Sequence, residues 1–315
     1  AHDIGYFFYN GGGDSQDTTF KVSEMAKKLK FPLQCIGIPK TVDNDLPFTD
    51  CSPGFGSVAK YVATSTLEAG LDVKSMAETS TKVFILEVMG RHAGWIAAAS
   101  CLAATEAGDP PHIILLPEVP FEKGKFISQV KQTIKNNGYC VIVASEGTQT
   151  RNGKFLADSG LTDAFGHKQL GGVAPVLASM ISKIGLKNHW AVADYLQRSA
   201  RHIASKTDLD QAYAVGKHAV KLAISGETAV MPIIKRISNT PYKWKIETAP
   251  LKNIANVEKT MPKKFISKNG FEITSSGKRY LSPLIVGEAP CFYKNGIPDV
   301  ASLKKYLVKK KLKSF

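Results

Sequence analysis

The 315-residue sequence has no long apolar run, no C-x-x-C pair and little acidic charge in its last quarter, and each shortage excludes something. Its apolar stretches are short, such as Val83-Phe84-Ile85-Leu86 and Ile113-Ile114-Leu115-Leu116. A membrane-spanning helix needs roughly 20 apolar residues, so none is expected and the chain reads as soluble. Five cysteines, Cys35, Cys51, Cys101, Cys140 and Cys291, are odd in number and widely spaced. That pattern argues against a disulfide framework or a zinc site and for a reducing, cytoplasmic setting. Ala1-His2-Asp3-Ile4 carries no basic segment followed by an apolar core, so neither a signal nor a transit peptide is expected there. With 43% hydrophobic and 22% charged residues, the composition is that of a folded chain with core enough for two domains or one large one.

The formal charge of +14 raises the question of nucleic acid, and its distribution answers it. Residues 1–230 hold 23 basic and 22 acidic residues, whereas residues 231–315 hold 18 and 5. The excess sits in Lys-rich stretches such as Lys263-Lys264 and 304–311, and Arg236 and Arg279 are the only arginines of that segment. Nucleic-acid binding usually adds aromatic or Arg-rich patterning, so a solvated basic surface is the expectation, with no nucleic-acid and no membrane partner.

The first 230 residues alternate short apolar strands with longer amphipathic segments, the signature of a parallel sheet covered by helices. Strands are predicted over 4–9, 33–38, 82–88, 112–116 and 139–144. Helices are predicted over 18–29, 56–71, 94–105, 125–137 and 172–184, and loops over 108–111 and 166–172. Beyond 230 the pattern changes to short strand-like pieces with turns at Asn239-Thr240-Pro241 and Lys268-Asn269-Gly270, then a basic terminal helix from about Val300.

Polar motifs cluster at the predicted strand ends. Asn10-Gly11-Gly12-Gly13-Asp14-Ser15 lies between a strand and a helix, where backbone amides and the helix terminus favour an anion; an ordinary turn with an N-cap explains it equally well. Pro39-Lys40-Thr41-Val42-Asp43-Asn44-Asp45 ends the second strand, and its paired carboxylates and lysine suit a general base beside a cation or phosphate. A polar turn is the plainer alternative. Met89-Gly90-Arg91-His92-Ala93-Gly94-Trp95 places an arginine where it can meet a transferring phosphoryl group. Ser145-Glu146-Gly147 and Tyr195-Leu196-Gln197-Arg198 add further polar tips. Several such tips on one sheet edge point to one site.

Together these segments resemble the 6-phosphofructokinases, in that family's order and at compatible separations, over most of the chain. The resemblance is closest to the pyrophosphate-dependent branch, whose own extension Ala255-Asn256-Val257-Glu258-Lys259 and Tyr280-Leu281-Ser282-Pro283-Leu284 resemble. It implies a phosphofructokinase-like α/β fold of two Rossmann-like doubly wound domains with a basic C-terminal extension. Residues 1–54 with 203–230 would form the phosphoryl-donor domain and 55–202 the sugar-phosphate domain, with 231–315 packing on the donor domain. Family members begin with a strand and a Gly-Gly donor loop, and this sequence starts at what resembles a later, internal strand.

The resemblance also implies phosphoryl transfer in glycolysis onto the C1 hydroxyl of fructose 6-phosphate. Asp43 would be the base, with Asp45, Lys40, Asp14 and Arg91 completing the catalytic set. Thr41, Val42, Met89, Gly90, Glu146 and Tyr195 would bind the sugar phosphate, Arg198 its 6-phosphate, and Lys82 would reach it from a neighbouring subunit of a homodimer or homotetramer. Near His189, a second subunit-crossing position, Lys187 is the alternative cation. Gly11, Gly12, Gly13, Ser15 and Lys40 would hold the donor. Mg²⁺ would lie by Asp43 and Asp45 at a family metal position occupied here by Gly13.

The ATP-using branch has glycines where this chain has Asp14 and Lys40, so the resemblance implies pyrophosphate as donor and a reversible reaction. An ATP-dependent or sedoheptulose-7-phosphate-using kinase, a non-catalytic subunit and a nucleic-acid-binding protein are the alternatives.

Overall fold

The computed structural model describes residues 2–162, 168–170 and 172–312. Two four-stranded sheets organise it. In chain order the strands are β1 (Tyr6–Gly11), β2 (Gln34–Pro39), β3 (Val83–Val88), β4 (Ile113–Leu115), β5 (Cys140–Ser145), β6 (Asp158–Thr162), β7 (Lys168–Leu170), β8 (Asn188–Val192), β9 (Val230–Asn239), β10 (Tyr242–Pro250), β11 (Tyr293–Lys294) and β12 (Ile297–Pro298). The helices are α1 (Gly13–Lys28), α2 (Phe55–Met76), α3 (Trp95–Ala99), α4 (Lys123–Asn137), α5 (Val173–Ser182), α6 (Asp194–Ser199), α7 (Lys206–Ile224) and α8 (Ser275–Leu281).

The first sheet runs β1-β2-β9-β10. β1 and β2 are parallel from Tyr6 opposite Gln34 to Gly11 opposite Pro39, β9 joins β2 in parallel at Ile36 opposite Val230, and β9 and β10 form an antiparallel hairpin. The second sheet, β4-β5-β3-β8, is wholly parallel. Parallel sheets are buried on both faces, which is why β5 reads as an unbroken apolar run. In β3, Val83 and Ile85 enter one core with Phe126 of α4 and Leu177 and Ile181 of α5. Leu86 and Val88 enter the other with Phe55, Val58 and Val62 of α2 and Trp95 of α3. This period-two division of one strand between two helix layers is the doubly wound arrangement.

The C-terminal extension serves both sheets. Its hairpin completes the first, where Met231, Ile233, Ala249, Leu251 and Ile254 form a core with Leu46. Met261, Phe265, Ile273, Leu281 and Leu284 instead pack into the α2–α3 core, with Trp95 edge-on to both Phe55 and Phe265.

Three expectations need correction. α1 begins at Gly13, five residues before the predicted start, so Gly11 ends β1, Gly12 is the N-cap and Gly13 is the first helical residue. The helix predicted over 94–105 is one turn of α-helix followed by the 3₁₀ segment Ser100–Ala103. No helix forms from Val300: 299–311 has no regular structure, and Leu303, Tyr306 and Leu307 are exposed. A short amphipathic segment with no surface to cover lacks the tertiary burial that stabilises most protein helices. The loop predicted over 166–172 lies partly outside the described residues; within it Lys168–Leu170 is a strand and Gly172 caps α5. No helix of the described residues is long and apolar enough to cross a membrane.

Candidate active site

The C-terminal ends of β1, β2, β3, β5 and β8 face one cleft of about 1080 Å³ between the sheets. It is lined by Gly12, Gly13, Asp14 and Ser15, by Thr41, Val42, Asp43 and Asp45, by Met89 and Arg91, by Glu146, and by Tyr195 and Arg198. Segments more than 180 residues apart meet because every parallel strand delivers its following turn to the same sheet edge.

At the first turn, the N-cap Gly12 supplies no side-chain acceptor to the α1 amides, an arrangement an anion can use. Gln16, fully buried, donates its amide to Gly11 O at 2.9 Å and Ile38 O at 3.1 Å, tying β1 to β2 behind the cleft. Gly11 therefore supports the loop rather than lining the cleft. A Cβ at Gly13 would meet nothing within 4 Å, so the family metal position is open space.

Asp43 stands at the second turn. Its amide donates to Thr41 Oγ1 at 3.1 Å, and Asn44 takes the left-handed conformation at φ 54°, which asparagine tolerates better than most residues. Burial is the main cause that pushes the Asp43 carboxyl up to about 6. The charges of Asp45 and Glu146 add to the rise, while Arg91 and Lys40 oppose it. Burial also raises Asp45 and Glu146. Lys40 is exposed and not among the residues lining the cleft, its backbone amide on Gly11 O at 3.2 Å.

Across the cleft, Gly90 has φ +130°, and its amide donates to Glu146 Oε1 at 3.3 Å while its carbonyl accepts from the Ser145 hydroxyl. Arg198 lies over the Tyr195 ring at 4.5 Å. Lys82 is at the far end of β3, where its amine donates to Ala77 O at 2.6 Å, away from this chain's cleft. Lys187 donates to Ser80 Oγ at 2.9 Å, and His189 is exposed on β8.

The Phosphofructokinase family model matches residues 1–223, well over half of the sequence. The chain belongs to the phosphofructokinase family. Among the relatives this phosphofructokinase resembles is the pyrophosphate–fructose 6-phosphate 1-phosphotransferase of Halomonas elongata, 63% identical over 316 residues and covering 100% of this chain and 75% of that protein. The protein of the same name from Methylococcus capsulatus is 58% identical, covering 99% and 74%. Solved pyrophosphate-dependent phosphofructokinases superpose closely. That of Marinobacter aquaeolei has a TM-score of 0.91 at 59% identity, covering 99% of this chain and 75% of that one. That of Nitrosospira multiformis has 0.92 at 57%, covering 100% and 76%.

The phosphofructokinase cleft contains residues that strand-end motifs do not predict. Glu87, 1% exposed, accepts from Gly172 N at 2.9 Å and Ala174 N at 2.8 Å, so a carboxylate from β3 caps α5. Gln197, inside the Tyr195–Arg198 motif, is buried behind the cleft and accepts from the Met89 amide at 3.4 Å, joining the third turn to α6. Asn256, Val257 and Glu258, beyond the span of the family model, form another wall. Asn256 donates to Asp17 at 3.0 Å, and Glu258 pairs with His92 at 2.8 Å. The branch-like motif 255–259 marked this segment without assigning it a contact.

Gly147 lets the turn after β5 pack against the turn after β3, because a Cβ there would overlap the carbonyl oxygens of Gly90 and Arg91. Gly147→Ala is therefore expected to cost about 2 kcal/mol or more and to displace Arg91. Thermal unfolding should show a lower midpoint alongside lost turnover; an unchanged midpoint contradicts the close approach.

Proposed function

We propose that this chain catalyses the reversible transfer of a phosphoryl group from pyrophosphate to the C1 hydroxyl of fructose 6-phosphate, a glycolytic step. The observation that carries the reading is Asp43, a carboxylate pushed up to about 6 between the α1 phosphate cradle and the Arg91–Glu146 wall. Such a group is largely ionised at neutral pH yet basic enough to accept a proton.

Asp43 takes the C1 hydroxyl proton as the oxygen attacks the terminal phosphorus of pyrophosphate. The bridging P–O bond breaks, its electron pair leaves with phosphate, and fructose 1,6-bisphosphate results. Arg91 and Lys40 offset charge on the transferred and departing groups, the main means by which phosphoryl transfer is catalysed. Met89, Gly90 and Glu146 shape the sugar side, and Arg198 holds the 6-phosphate. Asp14, on the cleft in the first turn of α1, repels the α-phosphate of a nucleotide and so selects the shorter donor.

Mg²⁺ fits the residues in one form. Among the described residues no three His, Cys, Asp or Glu groups cluster as a metal site. Asp45 Oδ1, however, is buried without a hydrogen-bond partner, and Mg²⁺ typically takes one or two carboxylates plus substrate phosphates. Asp45 would hold it with the diphosphate, beside Asp43, the ion supplying charge neutralisation on the transferred group.

The same reading includes a cytoplasmic homodimer or homotetramer. Four of the five free cysteines are buried, and Trp190 and Val192 are exposed on β8, at the edge of its sheet. A coupled assay of the intact protein should show pyrophosphate-dependent turnover at least a hundredfold above that with ATP. ATP use without pyrophosphate use overturns the donor, and no turnover of fructose 6-phosphate with either overturns the reaction.

A further inference from the structure

The turn that carries Asp43 is held from beneath by a residue outside the family model. Lys259 lies on the segment 255–261, which leaves the first sheet after β10 and crosses to the α2–α3 core. Its ammonium donates to Thr49 O at 3.0 Å, Asp50 O at 3.0 Å and Asn44 Oδ1 at 3.4 Å. An ammonium has three donors and no acceptor, so this set uses all of them. The Lys259 amide donates to Asp45 O at 2.6 Å, and its carbonyl accepts from Trp95 Nε1 at 3.1 Å, with the Trp95 ring 5.5 Å from the ammonium.

These contacts hold the chain immediately after Asp43. Asn44 and Asp45 follow it directly, and Thr49 and Asp50 close the same loop. Asn44 is fully buried; its oxygen also accepts from Ser52 N at 3.0 Å, and its amide donates to the Tyr280 hydroxyl at 3.1 Å. That hydroxyl in turn donates to Asp50 O. A left-handed Asn44 persists only where its surroundings over-determine it, and Lys259 and Tyr280 supply that determination.

We propose that Lys259 is a positioning residue for the catalytic base: its ammonium and backbone amide, presented by the C-terminal extension, lock the 44–50 loop so that Asp43 faces the reacting hydroxyl. Lys259 makes none of its contacts with substrate-facing side chains, so its effect falls on the chemical step rather than on binding. Misplacing a reacting group by about 1 Å can cost 10²-fold.

The proposal rests on the phosphotransferase reading, and the test separates the two. In the intact protein, Lys259→Met should lower kcat about 10²-fold with KM for fructose 6-phosphate and pyrophosphate within twofold. Lys259→Arg, which keeps a cation and donors, should recover at least tenfold of that loss. Tyr280→Phe, which removes from α8 the hydroxyl that pairs with Asn44 and Asp50 of the loop, should lower kcat about fivefold with KM unchanged. Circular dichroism checks the fold of each variant. A kcat within threefold of wild type for Lys259→Met overturns the proposal, as does a rise of both KM values in step with the loss. If Lys259→Met fails to fold, full kcat in Tyr280→Phe overturns it. An unsubstituted protein with no pyrophosphate-dependent turnover refutes the phosphotransferase reading instead.

Discussion

Asp43→Asn will lower kcat about 10³-fold while the Kd of fructose 6-phosphate moves less than threefold, measured by stopped-flow turnover and calorimetric titration. General-base catalysis contributes roughly 10²- to 10⁴-fold, and asparagine keeps the shape of the turn while losing the proton acceptor. In the unsubstituted protein, kcat/KM should rise through about pH 6 as the carboxyl ionises, and the variant should lose that limb. Activity within tenfold of wild type places the base elsewhere.

The same substitution has a stability signature of opposite sign. Asp43 has a folded pKa raised from an ordinary 3.8 to about 6, mainly by burial. Stability linked to its protonated form is full below about pH 4 and is lost as pH rises through about 6. Relief of a half-buried charge, discounted for solvent screening, amounts to roughly 1 kcal/mol. Asp43→Asn should therefore raise Tm by about 2–4 °C at pH 7.5 and leave it unchanged at pH 4. A catalytic group that weakens the fold at working pH marks a site shaped for reaction rather than stability.

Lys40→Gly is the second large effect. It should lower kcat/KM for pyrophosphate about 10²-fold, roughly 2.7 kcal/mol, with KM for fructose 6-phosphate little changed. Adding Asp14→Gly removes the carboxylate from the first turn of α1, and the double variant should gain measurable turnover with ATP. Both effects are read in one coupled assay with either donor. An unchanged pyrophosphate rate, or an equal loss toward both substrates, removes Lys40 from the donor site.

Much of this site was legible because parallel α/β folds put chemistry in short local segments. Gly12–Ser15, Thr41–Asp43 and Glu146 each come just after a strand, so their convergence on the cleft follows from topology. The extension was not legible in the same way. Lys259 meets Asp45 across 214 residues, and no period or spacing records such a contact. Glu87 sits inside an apolar strand and its partners are backbone amides, so nothing in its neighbourhood marks it as a cap. The basic tail misled for the converse reason: Leu303, Tyr306 and Leu307 have helical spacing, but the chain offers them no surface.

The capping of α5 by Glu87 occupies a helix terminus that could otherwise hold an anion. A free helix terminus binds phosphate through fixed dipoles, but here a carboxylate already fills that end. On the proposed reading the 6-phosphate falls to side-chain cations such as the exposed guanidinium of Arg198, whose pull is screened over a Debye length of about 8 Å at physiological ionic strength. On that reading sugar capture should weaken as salt is raised, while the buried hydrogen bonds beneath the Asp43 turn should not.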